Sequence, residues 1–250
     1  MTSGGFRIHY VEWGSKGSAV VLIHSMGLDD HSMDQLCEIL DKDHRVLSLT
    51  ILGHGDSEVP PSPTPLPEHA EIMRSCAKLL GYTPYILIGH SIGGMMGMIL
   101  AAEHPKEVKG LILVDIAPFD FNSPRTGRIT RPSPPERMTS EEAKTYLKER
   151  YPGFTPYYVE NRLKYAFQSD RGVLKIKPTG DSIRAGMNLD LWPYVERIKV
   201  PTLLLVGGEG SVVSSEAYER MKKTVPGIET AMIPGTGHMI PHDKQEAFEK

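Results

Sequence analysis

Cysteine is scarce in this chain: Cys37 and Cys76 stand alone among 250 residues, with no CxxC or Cys-His spacing around them. A disulfide scaffold is excluded, neither a thiolate zinc site nor a redox pair is signalled, and two buried free thiols are expected. An excess of positive charge is also missing. Lys and Arg number 28 against 31 Asp and Glu, a net charge of −3, so there is no basic surplus to release counterions from a phosphate backbone and nucleic acid is not an expected partner. Aromatic residues are only 7% of the chain, beside 40% hydrophobic and 24% charged, the balance of an ordinary globular protein. No uninterrupted hydrophobic run reads as a membrane span. Tyr82–Ala102 lacks Asp, Glu, Lys and Arg, but Pro84, Gly89, His90, Ser91, Gly93, Gly94 and Gly97 break it, and its first half is β-like and its second helix-like. Met1–Gly5 carries no basic segment leading into an apolar core, so a cytoplasmic location is expected. Neither a GxGxxG fingerprint nor a GxxxxGK phosphate loop occurs, so no nucleotide cofactor is implied.

What is present is an alternation of short Val/Ile/Leu-rich runs with helical patterns, the signature of βαβ units on a mostly parallel buried sheet. Strands are expected at Arg7–Trp13, Ala19–His24, Arg45–Thr50, Tyr85–Gly89, Val108–Asp115, Pro201–Gly207 and Glu229–Pro234. Between them, Ser32–Leu40, Glu68–Leu80, Ile92–His104 and Ser214–Val225 repeat apolar residues at helical spacing. The segment 118–199 breaks this rhythm. It holds helical patterns at Thr139–Tyr151 and Pro156–Phe167 but no convincing buried strand, and it reads as a mainly helical lid inserted into a core made of 1–117 and 200–250.

The chemistry concentrates at Gly89-His90-Ser91-Ile92-Gly93, a G-x-S-x-G pattern at a strand-to-helix junction. A serine on such a turn projects its hydroxyl clear of the sheet, and the flanking glycines let strand and helix close up. A serine hydroxyl needs a base to take its proton and a third group to hold that base. Of ten histidines, His238 follows the last strand in a glycine-rich loop at the sheet's carboxyl edge and is the candidate base. His90, next to Ser91 on the turn, is expected to point elsewhere, and His104, at a helix end, to be a cap or surface residue. Other clusters read as bland. Asp29-Asp30-His31 matches part of a metallohydrolase signature, and His238 with His242 has i,i+4 spacing, but Pro241 argues against a helix there and no metal is expected. Met95, Met96 and Met98 read as core, and His54 as a turn residue.

Taken together these pieces resemble the α/β-hydrolase family over nearly the whole chain. His24-Ser25-Met26-Gly27 is similar to the family's His-Gly oxyanion loop, Leu52-Gly53-His54-Gly55-Asp56-Ser57 to its Gly-x-Gly-x-Ser turn, and Ala102–Pro105 with Val108–Asp115 to the stretch after the nucleophile. The resemblance implies an oxyanion hole formed by the backbone N–H groups of Met26 and Ile92, with Ser25 replacing a more usual glycine. It also leaves the acid to be decided. In many relatives an Asp follows the strand corresponding to Pro201–Gly207, where this chain has Gly210 beside Glu209. Asp115, 24 residues after Ser91, resembles the acid of an esterase subgroup that places a serine, here Ser211, in the vacated loop. Ser91, His238 and Asp115 are thus the expected triad, with Glu209 the competitor. Ser25, Phe119, Trp192 and Met239 are candidate substrate contacts. The implied activity is cofactor-free hydrolysis of a small carboxylic ester through an acyl-enzyme; lactone or carbon–carbon bond hydrolysis, or a slow-turnover receptor, are the alternatives.

Overall fold

The computed structural model describes residues 1–118, 135–184 and 187–248. After a two-residue hairpin of β1 (Thr2–Ser3) and β2 (Phe6–Arg7), the sheet is built from β3 (Tyr10–Trp13), β4 (Ser18–Ile23), β5 (His44–Leu49), β6 (Tyr85–His90), β7 (Val108–Val114), β10 (Thr202–Gly207) and β11 (Glu229–Ile233). The order across it is β11-β10-β7-β6-β4-β5-β3. Only β3 runs antiparallel to its neighbour; the other pairs are parallel. All seven expected strands are therefore members of one sheet. Successive side chains divide between its two faces: Ala19, Val21 and Ile23 join the core on one side, Val20 and Leu22 that on the other. Both faces are covered, which is why these strands read as unbroken apolar runs. Each fully buried Leu or Ile among them contributes about 1.5–3 kcal/mol.

The covering helices are α1 (Asp34–Leu40), which continues a 3₁₀ turn at Asp30–Met33, α2 (Leu66–Leu79), α3 (Ile92–Glu103) and α8 (Ser215–Thr224). Met95, Met96 and Met98 lie in the core as expected. Among the described residues no helix is long and apolar enough to cross a membrane; Tyr82–Ala102 contributes β6 and α3 instead.

Between β7 and β10 the described part of the insertion carries α4 (Ser140–Arg150), α5 (Pro156–Tyr165), β8 (Phe167–Asp170), β9 (Val173–Ile176), α6 (Asp181–Arg184) and α7 (Trp192–Val195). The Thr139–Glu142 capping box starts α4 where the sequence places a helix start. The β8–β9 hairpin is a departure from the sequence reading. Its strands are only four residues each and mix exposed polar with partly buried apolar positions, so no long apolar run marks them, and its turn rests on Arg171 and Gly172, at φ 50° and 79°. A second departure lies at the end of the chain, where α9 (Ile240–Asp243) and α10 (Gln245–Phe248) are separate single turns. Pro241 does not prevent the first: it stands at the helix start, where a missing N–H leaves no bond unmade.

Parallel register brings the carboxyl ends together. Ile23 pairs with Gly89, Gly89 with Leu113, and Leu205 with Val114, so the loops after β4, β6, β7, β10 and β11 open on one edge of the sheet, the edge where open α/β sheets bind ligands.

Candidate active site

Ser91 sits between β6 and α3 at φ 54°, ψ −114°, a conformation that few non-glycine residues adopt. The glycines around it are required by contact. A Cβ on Gly93 would lie 2.1 Å from the Ile23 carbonyl oxygen, and one on Gly89 would lie 2.5 Å from the Gly93 carbonyl carbon. Helix, elbow and the end of β4 therefore meet backbone to backbone.

Three side chains distant in sequence form one hydrogen-bonded line. Ser91 Oγ is 2.9 Å from His238 Nε2, and His238 Nδ1 is 2.8 Å from Asp115 Oδ2. A carboxylate only accepts, so Nδ1 carries the proton and Nε2 faces the serine hydroxyl as acceptor. Asp115, with no exposed surface, also receives the Gly207 and Val212 amides and the Ser211 hydroxyl, the last at 2.5 Å. Burial alone would raise its pKa, but the bonds from His238, Gly207, Ser211 and Val212 outweigh it and hold the carboxyl below its ordinary value. Glu209 is exposed. Such a line can take a proton from the hydroxyl and stabilise the resulting imidazolium.

His90 points away from Ser91, as expected, yet not into neutral packing. Its Nε2–H donates to the His238 carbonyl at 2.8 Å, and burial, with His238 and His242 nearby, pushes its pKa well down. The ring is held neutral and fixes the backbone of the loop that carries His238.

At the end of β4, the Asp29-Asp30-His31 cluster is consumed by protein partners. Arg162 from α5 grips Asp29 with both terminal nitrogens, the Nη1 bond at 2.7 Å; Asp30 pairs with His9 and His31 with Asp34. Burial would raise the Asp29 pKa, but the Arg162 charge prevails and lowers it strongly. Asn161 adds bonds to the His31 carbonyl and Asp34. On the far side of the site, His242 is stacked on Phe154 and edge-on to Tyr158 of the insertion. Burial, then the Arg162 charge, push it down to about 3.

Of the other expected contacts, Ser25 is buried at the end of β4, and Met239 follows His238 and packs against the hydrophobic cluster of the insertion. Trp192 is not brought to the relay: it lies on α7 with the Arg220 guanidinium 3.7 Å above its ring. Phe119 lies outside the described residues. The sequence reading missed Arg162, although a lone Arg four residues after Tyr158 on the buried stripe of α5 is a signal that could have found it.

The family model for the alpha/beta hydrolase fold matches residues 18–245, and the chain belongs to that family. Among curated relatives, the sn-1-specific diacylglycerol lipase ABHD11 of Mus musculus is 24% identical over 250 residues, covering 92% of this chain and 78% of the relative. The 2-(acetamidomethylene)succinate hydrolase of Mesorhizobium japonicum is 22% identical over 232 residues, with 90% and 84% covered. Among solved structures, the thioesterase domain from the curacin biosynthetic pathway superposes with a TM-score of 0.85 at 22% identity, over 100% of this chain and 95% of that one.

Proposed function

We propose that this protein is a serine hydrolase that cleaves small carboxylic esters through an acyl-enzyme on Ser91. The observation that carries the reading is the unbroken Ser91–His238–Asp115 line at the edge where the strands end. Ser91 Oγ attacks the ester carbonyl carbon as its proton passes to His238 Nε2. The oxyanion that forms accepts the Met26 and Ile92 N–H bonds, and Asp115 stays ionised beside the imidazolium. Collapse of the intermediate expels the alcohol, which takes the proton from His238. A water then gives its proton to the same nitrogen and attacks the acyl carbon; the bond to Ser91 Oγ breaks as that oxygen takes the proton back from His238, releasing the acid and regenerating the serine.

In this reading the described part of the insertion, residues 135–184 and 187–199, acts as a lid over the carboxyl edge of the sheet, with Ser25 and Met239 as substrate contacts, and favours short to medium acyl chains. That some relatives are lipases and hydrolases supports the same class. Assay of p-nitrophenyl esters from acetate to decanoate tests it, together with labelling by a fluorophosphonate. Turnover and labelling are expected in the wild type and absent in Ser91→Ala, which should lose at least ~10⁴-fold in kcat. Undiminished turnover in Ser91→Ala overturns the proposal.

A further inference from the structure

In the reading above, the loop after β4 must present the Met26 N–H to an oxyanion. What holds that amide in place is found behind it. His24, with 1% of its surface exposed, meets two backbone groups at once: its Nε2 is 2.9 Å from the Ile51 nitrogen and its Nδ1 is 2.7 Å from the Ser25 carbonyl oxygen. A backbone N–H only donates and a carbonyl only accepts. The Nε2 must therefore be bare and the Nδ1 protonated, so the two contacts fix both the tautomer and the neutral state. Burial pushes the pKa of the ring down in the same sense.

The consequence lies one bond further along the chain. In a planar trans peptide the C=O and the following N–H point in opposite directions. With the Ser25 carbonyl drawn back towards the His24 ring, the Met26 N–H of the same peptide unit is turned away from the ring. The Ser25 oxygen also accepts the Leu28 N–H at 3.1 Å, so the turn is closed around Gly27, whose φ is 80°. This loop adjoins the elbow: the Cβ position of Gly93 is 3.0 Å from the His24 carbonyl oxygen, which makes the loop a neighbour of the Ile92 amide.

We propose that His24 is a positioning residue of the oxyanion hole, whose Nδ1–H holds the Ser25 carbonyl and thereby aims the Met26 amide at the developing oxyanion. It touches neither substrate nor reacting atoms. The proposal rests on the ester-hydrolase reading, and it separates the two ends of one side chain: the Nδ1 end serves the amide, and the Nε2 end secures the Ile51 loop.

Two substitutions divide those ends. In His24→Asn the amide nitrogen takes the place of Nδ1, while in His24→Gln the longer side chain places its carbonyl oxygen where Nε2 stood. The measurements are kcat and KM on p-nitrophenyl butyrate, the pH midpoint of kcat/KM, and inhibition by an alkyl trifluoromethyl ketone, which adds to Ser91 and leaves an oxyanion in the hole. His24→Gln should lose about 10²-fold in kcat with KM nearly unchanged, as when one oxyanion donor is removed. It should weaken the ketone by a similar factor and leave the pH midpoint in place. His24→Asn should stay within about tenfold of wild type, since its donor is kept. Equal losses in the two variants, or a fall in kcat without weaker ketone binding, overturn the proposal. For variants that do not fold, the ring ¹⁵N shifts of wild-type His24 give the tautomer directly, and a proton on Nε2 overturns it as well. Failure of the hydrolase reading looks different: the wild type itself would then show no Ser91-dependent turnover and no ketone binding.

Discussion

Asp115 and Asp29 are both buried carboxylates in loops at the carboxyl edge of one sheet, and the two regions partner them in opposite ways. Asp29 is clasped by Arg162, a cation that never gives up its charge, reaching across 133 residues from α5. Asp115 faces an imidazole that gains and loses a proton, and its remaining lone pairs are filled by two amides and a hydroxyl. Removing an ion from water costs several kcal/mol in either place. Around Asp29 the cost is met by a fixed charge, which suits a joint that must not move: it ties the insertion to the loop bearing Met26. At Asp115 the cost is met by the His238 N–H together with two amides and a hydroxyl, which hold the carboxyl below its ordinary value.

The comparison can be broken first at Asp115. Asp115→Asn keeps the shape but denies His238 its tautomer, so kcat should fall by about 10³–10⁴-fold with native circular dichroism, whereas Glu209→Gln should remain near wild type. The reverse ranking would move the acid role to Glu209. At the other pole, Arg162→Met leaves Asp29 buried and uncompensated and should cost about 3–5 kcal/mol in urea unfolding; adding Asp29→Asn to it should restore part of that loss. Equal stability of the single and double variants would show that Asp29 is rehydrated.

Acid sharpens the contrast further. His242 is held at about 3 and His69 at about 4, against an ordinary 6.5, chiefly by burial. Between those values the unfolded chain binds protons that the folded one does not. The contribution of these two rings is therefore complete above about pH 6.5 and falls as the pH drops, by about 1.4 kcal/mol per pH unit for each. His242→Phe keeps the stack on Phe154 and should flatten the acid limb of a pH–urea series by one proton's slope; an unchanged slope would count against it. The smallest effect is expected from Ser211→Ala. It removes one of several bonds to Asp115 and should lower kcat by about threefold to tenfold, the net worth of an ordinary hydrogen bond, because the remaining donors still hold the carboxylate.

How much of this was legible depends on whether the cue is local. The strands and the elbow carry their signal within a few residues: β4 and β6 as apolar runs, Ser91 between glycines. Asp115 could be ranked above Glu209 because Gly210 stands where the resemblance places the usual acid, Ser211 follows it, and Asp115 ends an apolar strand. The contacts of His24 and His90 were hidden because each ring bonds to backbone, His24 to the adjacent Ser25 carbonyl and to the Ile51 amide 27 residues away, His90 to the His238 carbonyl 148 residues away, and no residue type advertises a backbone carbonyl or amide. The β8–β9 hairpin escaped because its four-residue strands are too short to carry an apolar run, and Trp192 drew notice as an aromatic beside the insertion although its ring is covered by Arg220.

The backbone of Ser91 carries an evolutionary implication. A non-glycine residue at positive φ is destabilised by about 1–3 kcal/mol, and Ser91 is one of three such residues among those described, Asp115 being another. Ser91→Gly removes the strain and the hydroxyl together. Even after the greater freedom of glycine in the unfolded chain, about 0.5–1 kcal/mol, the inert variant should be at least as resistant to heat as the parent. A library selected for thermal survival alone would thus collect glycine at position 91 and drift towards well-folded proteins with no nucleophile, so selection for durability in this scaffold must be coupled to turnover.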